Sequence, residues 1–230
     1  MAERPLLLAI DTVSDVAGAA VLEAGTLIAE TTWRARQSHS VQLLPAIDWL
    51  LSHMGRSKDD VGAVAVCLGP GSYAGMRVGV STAKALAYGL GARLVGVGRF
   101  AAEALPLAEA SARRIVPVQA AGRAEFAWGA YAMGEEGLVE LASPQIGTAE
   151  KLLTAVQRGD IVTGDIDRLD ESTLSELATK DCRLLPATGL RVLAVARLGM
   201  ARLDRGESDD PDSLEPLYLR APAIGPQAPR

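Results

Sequence analysis

VGAVAVCLGPGSYAGMRVGVSTAKALAYGL, residues 61–90, carries the pattern on which the fold turns. Its first eight residues are continuous, apolar and rich in valine, as in a short strand buried on both faces. Gly69, Pro70, Gly71 and Gly75 end that run, and a helical pattern follows to about Tyr88. Strand, glycine-rich turn and helix in that order predict an α/β unit, continued by a strand at 93–97 and a helix at 99–110. Within the helix Gly75, Gly79, Ala83 and Ala87 recur every four residues. A glycine inside a helix costs up to about 1 kcal/mol against alanine, so this ridge predicts close approach of another backbone, in the same lobe or in a partner.

Upstream, apolar runs at 5–12, 16–22 and 26–33 are separated by turns at Ser14-Asp15 and Ala24-Gly25 and read as a three-stranded meander. Ser38 or Ser40 then opens a helix in which Leu43, Ile47, Leu50 and Met54 follow one face, while Val41, Leu44 and Leu51 widen it. Downstream, a second meander is expected at 115–119, 125–131 and 138–141. An offset of 109 residues places Asp11 on Ala120 and Gly25 on Gly134. Two structurally similar halves are therefore expected. A helix at 148–157, a strand at 160–163 and helices at 171–178 and 190–205 complete the second half. We place the first lobe at 1–98, completed by about 206–220, a degenerate second lobe at 99–205, and a mobile tail at 221–230.

The composition excludes several classes of function. Of 230 residues, 49% are hydrophobic and 22% charged, ordinary for a globular chain and against long disorder. Lys plus Arg is 23 against 28 Asp plus Glu, a formal charge of −5 that disfavours a free-standing binder of nucleic-acid phosphate. Aromatics are 4%, too few for a set of base-stacking platforms. No run approaches the roughly 18 apolar residues of a membrane span, and residues 1–12 lack a signal-peptide pattern, so a cytoplasmic protein is expected. Cys67 and Cys182 form no CxxC pair and read as buried packing, in keeping with a reducing compartment.

LLLAIDT (6–12), HSVQLLPAIDWLL (39–51), GPGSYAGMRVGVSTAKALAYGL (69–90) and LEPLYLR (214–220) together resemble the bacterial TsaB (YeaZ) family. The resemblance implies a duplicated, two-lobe actin-like fold of the ASKHA and RNase H-like type, with mixed sheets flanked by helices. It implies a scaffold or activating subunit of the tRNA threonylcarbamoyladenosine synthase, the non-catalytic partner of the paralogue TsaD. With the ATPase TsaE, the pair transfers threonylcarbamoyl to the adenosine beside the anticodon of tRNAs reading ANN codons. Such chains pair through the two helices above, with themselves when alone and with TsaD in the complex. Leu43, Leu44, Ile47, Leu51, Gly75, Val78, Gly79, Thr82 and Ala83 are the expected interface, and tRNA is expected to be met only through the complex.

The residues test that implication where chemistry would stand. The catalytic paralogue carries two metal-binding histidines four apart just after the strand that follows the glycine-rich helix; here Arg99 and Glu103 occupy those places. Arginine has no lone pair to give a metal, and one carboxylate is a poor transition-metal site. The two are expected instead as an i, i+4 surface ion pair. ATP-hydrolysing members of the superfamily place a carboxylate in each lobe's first hairpin for Mg²⁺ and phosphate. This chain keeps Asp11 but has Ala120 at the matching point. Asp11, Gly69, Gly71, Ser72 and Gly75 form a candidate nucleotide or anion loop, or only a tight turn; it is not a Walker A loop. No cofactor or metal is expected for the isolated chain, with ATP or ADP and Mg placed at the joint interface with TsaD. The alternative is an ATP-binding kinase-like or metallopeptidase-like enzyme of the same superfamily. Only His39 and His53 are present, and neither completes a Ser-His-Asp order or an HExxH motif.

Overall fold

The computed structural model describes residues 5–36, 38–122 and 124–220. The first meander is β1 (Leu6–Asp11), β2 (Val16–Glu23) and β3 (Thr26–Arg34), followed by helix α1 (His39–His53). Strand β4 (Val61–Gly69), helix α2 (Tyr73–Leu90), strand β5 (Arg93–Gly98) and helix α3 (Arg99–Ala110) come next. The second half is β6 (Ile115–Ala120), β7 (Glu125–Gly134), β8 (Gly137–Thr148), α4 (Ala149–Ala155), β9 (Ile161–Gly164), α5 (Glu171–Thr179) and β10 (Arg183–Pro186). A final helix, α6, spans Val192–Asp204.

The two halves have one topology. The first sheet has the order β3-β2-β1-β4-β5, and the second, read from its β8 edge, has β8-β7-β6-β9-β10. In each the meander is antiparallel and the two later strands join in parallel. β6 and β7 start 109 residues after β1 and β2, the offset read from the sequence. The duplicated two-lobe actin-like fold is thus present, with mixed sheets flanked by helices.

Strand β1 shows why the first sheet is buried on both sides. Leu6, Leu8 and Ile10 enter a core with Leu43, Ile47 and Leu50 of α1 and Val80, Ala83 and Ala87 of α2. Leu7 and Ala9 face the other way, onto Val192, Val195 and Leu203 of α6 and Ala102 and Leu105 of α3. Small residues let α6 approach closely: a Cβ built on Gly199 would lie 2.6 Å from the Cβ of Ala65 in β4. Residues 190–205 therefore belong to the first lobe, a correction to their placement in the second. Their apolar stripe reveals only that the helix packs, whereas the complementary Ala9, Ala63 and Ala65 surface decides where. Residues 209–217 also run along the first lobe, with Asp209 N donating to Leu94 O and Leu217 N to Leu68 O.

Two further differences have local causes. β8 runs to Thr148, well past the expected 141, because Pro144 lies in an edge strand where a missing donor is tolerated. β10 escapes notice in the sequence as a four-residue edge strand of only half-buried or exposed residues. The tail at 221–230 lies outside the described residues. Among the described residues no helix is long and apolar enough to cross a membrane.

Candidate functional site

The first lobe's glycine-rich loop folds down onto the β1–β2 hairpin. Ser72 N donates to Val13 O at 2.8 Å, and a Cβ at Gly71 would stand 2.1 Å from that same oxygen. Ser72 caps α2, its Oγ accepting from Gly75 N at 3.3 Å. Thr12 Oγ1 donates to Gly75 O at 2.7 Å, and a Cβ at Gly75 would meet Thr12 O at 2.1 Å. Gly71, Ser72 and Gly75 are therefore seated on Thr12 and Val13, the residues that follow Asp11, with the amides of Ser72 and Gly75 already engaged by the chain, while the Asp11 carboxylate meets Val13 N and Arg191. Gly69 stands behind them at φ +104°, a conformation open to glycine, with Met76 Sδ beside it.

The small-residue ridge finds its neighbour inside the lobe. A Cβ at Gly79 would lie 2.4 Å from Thr12 Oγ1, and Ala83 has no exposed surface. Leu43, Ile47 and Leu51 of α1 are buried as well. Of the nine residues expected at an interface, these and Gly75 are turned into the core, since the close neighbour that Gly75 and Gly79 accommodate is Thr12, the residue just after β1. Leu44 is exposed, and Val78 and Thr82 are half-buried. The outward faces of the two helices carry Val41, 74% exposed, Trp49, 53% exposed, and Tyr88, 59% exposed.

Behind the loop lies a buried ionic network. Asp11 Oδ1 accepts from Val13 N at 3.1 Å, the turn cap its strand-end position suggests, while Oδ2 accepts from Arg191 Nε at 3.0 Å. Glu103 Oε1 accepts from Arg99 Nε at 2.7 Å and faces Arg191 Nη1 at 3.5 Å. The Arg99 and Glu103 side chains are only 6% and 7% exposed. The expected surface pair is instead interior, because the first turn of α3 is packed against both lobes. Arg191, at the start of α6, is the member of this network that the sequence does not reveal. No local pattern marks it, and its partner Asp11 lies 180 positions away. Burial alone would lower its pKa, yet Asp11 and Glu103 carry it above the ordinary arginine value, so the guanidinium stays charged.

The matching hairpin of the second lobe is closed differently. Ala120 N donates to Asp165 Oδ2 at 2.9 Å and Ala121 N to Glu125 O at 2.8 Å. A cavity of about 340 Å³ separates this hairpin from Tyr73 and Met76, with Tyr218 and Leu219 of the C-terminal segment along its rim. Among the described residues no group of three or more His, Cys, Asp or Glu side chains is placed to hold a metal ion.

The two cysteines differ. Cys67 is fully buried in β4, and burial, reinforced by Asp11, pushes its thiol pKa well up. Cys182 is only half-buried, contrary to the expectation from sequence, since it lies in the turn before edge strand β10. Native protein at neutral pH should therefore release one equivalent of chromophore with a thiol-reactive disulfide reagent, from Cys182, and both thiols only after unfolding. Equal labelling rates for the two cysteines in native protein would contradict this burial.

A family model described as TsaD, tRNA N6-adenosine threonylcarbamoyltransferase, matches residues 33–175. The tRNA threonylcarbamoyladenosine biosynthesis protein TsaB of Bacillus subtilis is 42% identical over 84 residues, 36% of this chain and 37% of that protein. The protein of the same name from Escherichia coli K12 is 31% identical over 137 residues, 57% of each. The matched stretches thus span from about a third to just over half of these curated relatives. Among solved structures, YeaZ from Pseudomonas aeruginosa superposes with a TM-score of 0.78 over 94% of this chain and 100% of that one, at 23% identity.

Proposed function

Because the chain belongs to the family whose model is TsaD, and within it to the TsaB (YeaZ) branch, we propose that it serves tRNA threonylcarbamoyladenosine biosynthesis as a catalytically silent subunit. Its role is to scaffold and activate a TsaD-like transferase, together with a TsaE-like ATPase, in the cytoplasm. The observation that carries this reading is the buried Asp11–Arg191–Glu103–Arg99 network. Arg99 and Glu103 stand where the catalytic paralogue is expected to hold metal, and each is committed to an ion pair. The Asp11 carboxylate, which an ATP-hydrolysing relative would turn to Mg²⁺, is neutralised by Arg191. On this reading the isolated chain carries no metal or nucleotide of its own, and ATP or ADP with Mg belongs to the joint interface with the paralogue. Elemental analysis should find no stoichiometric zinc or iron, and one tightly held transition metal per chain would overturn the reading.

The partner is taken by the outward faces of α1 and α2, on the same surface that pairs two copies when the chain is alone. Leu44→Glu places a charge on a surface already 44% exposed, so stability should change by no more than about 0.5 kcal/mol while association is lost. Light scattering beside thermal unfolding tests this, and a Leu44→Glu variant that still pairs with itself and with the paralogue would move the interface elsewhere. With a net charge of −5, the lone subunit should bind tRNA no better than an acidic control at physiological salt.

A further inference from the structure

The chain passes between its two lobes twice, and both passages meet at one place. The first is at Gly98 and Arg99, where β5 ends and α3 begins between the lobes. The second is at 187–189, since Ala187 N still donates to Gly164 O of β9, whereas a Cβ at Gly189 would lie 3.4 Å from Val16 Cγ2 of β2. Glu103 Oε1 joins the two, accepting from Arg99 Nε at 2.7 Å and from Arg191 Nη1 at 3.5 Å. Two passages pinned at one point form a hinge. Pro70, whose carbonyl faces Arg99 Nη1 at 3.5 Å, lines the cavity that separates the glycine-rich loop from the second-lobe hairpin. Lobes joined in this way move relative to each other unless a further contact holds them.

The C-terminal segment supplies that contact. Asp209 Oδ2 accepts from Gly96 N at 2.6 Å, Lys84 Nζ donates to Leu214 O at 3.2 Å, and Leu217 N donates to Leu68 O at 2.8 Å, so the segment is bound to the first lobe up to that point. Within the next three residues it reaches the second. The Tyr218 ring lies 5.4 Å from that of Tyr73 at the start of α2, Leu219 packs against the apolar cluster of Ile115, Ala127 and Tyr131, and Arg220 pairs with Glu125 at the start of β7. All four residues from Leu217 to Arg220 line the cavity. We propose that residues 209–220 are a clasp that sets the angle between the lobes, anchored on the first and latched to the second through Leu219 and Arg220. Its release lets the lobes turn about the Glu103 hinge and widens the cavity. An exposed ion pair is weak alone, so Leu219 holds the latch and Arg220 directs it. The clasp belongs to this chain by itself and does not depend on the subunit role proposed above.

The test is a distance measured across the cavity by pulsed electron paramagnetic resonance. Spin labels are placed at Ala74→Cys in α2 and Gln145→Cys in β8, both exposed positions, in a Cys182→Ser background whose remaining native cysteine, Cys67, is fully buried. Labelled chain is diluted with unlabelled chain, so that every distance is internal. With the native clasp one narrow distribution is expected. Leu219→Asp/Arg220→Glu should lengthen the distance by several ångströms and broaden it, while circular dichroism reports a folded chain. Arg220→Glu alone, facing Glu125, should do the same to a smaller extent, and the charge swap Glu125→Arg/Arg220→Glu should restore the narrow distribution. A native distribution in Arg220→Glu or in the folded double variant would overturn the proposal, as would a charge-swapped chain as broad as Arg220→Glu. Should the double variant fail to fold, Arg220→Glu and the swap carry the test, because position 220 is exposed.

Discussion

Asp11→Ala is expected to cost about 3–5 kcal/mol of stability, because it leaves the Arg191 guanidinium buried without its main counter-charge. For a chain of this length that corresponds to a fall of about 6–20 °C in melting temperature. The loss has a second component: Val13 N also loses its acceptor at the turn, and that turn supports the glycine-rich loop through Val13 O. Asp11→Asn should cost less, since it keeps an acceptor for Val13 N while weakening the pairing with Arg191. Chemical denaturation of the two variants beside the wild type measures the difference. An Asp11→Ala protein within about 1 kcal/mol of the wild type would mean that the pairing contributes little to holding β1 and α6 together.

Ala83→Trp should be comparably damaging, and for a steric reason. Ala83 has no exposed surface and lies in the core shared by β1, α1 and α2, beside a ridge that already meets Thr12 without room for a methyl group. Overpacking by a few methylenes costs about 1–3 kcal/mol, and an indole in place of a methyl should exceed that range. The melting temperature should fall sharply, with loss of association only as a consequence. An Ala83→Trp variant of wild-type stability that fails to associate would place the ridge on the outside of the lobe and overturn its packing against β1. The contrast with Leu44→Glu separates the inward from the outward faces of these helices.

The duplication is legible because its central strands, β1 and β2 in one sheet and β6 and β7 in the other, are largely buried, so their apolar runs stand out between glycine and acidic turns. The 109-residue offset survives in β6 and β7 for the same reason. The ridge at Gly75, Gly79 and Ala83 announced a close backbone, but local sequence does not say whose; the answer, Thr12, depends on how β1 and α2 come together in three dimensions. Assignment of α6 to the first lobe likewise depends on Ala9, Ala63 and Ala65 offering a flat surface far away in the chain. Arg191 was illegible altogether: one arginine before an apolar helix resembles any other, and its importance comes from Asp11, Ser14 and Glu103 meeting at that point. The Arg99–Glu103 spacing correctly predicted a pair but not its burial, since helical spacing reports which side chains meet and says nothing of what covers them.

On the proposed reading, this chain acts through a partner and performs no chemistry itself. Its most direct test is threonylcarbamoyl transfer to an ANN-decoding tRNA by a TsaD-like paralogue and a TsaE-like ATPase, measured with this chain, without it, and with this chain alone. Transfer is expected only when all three proteins are present, with none from the chain alone and a loss of stimulation with Leu44→Glu while the chain stays folded. Equal transfer in the absence of this chain, or transfer by this chain without the paralogue, would contradict it.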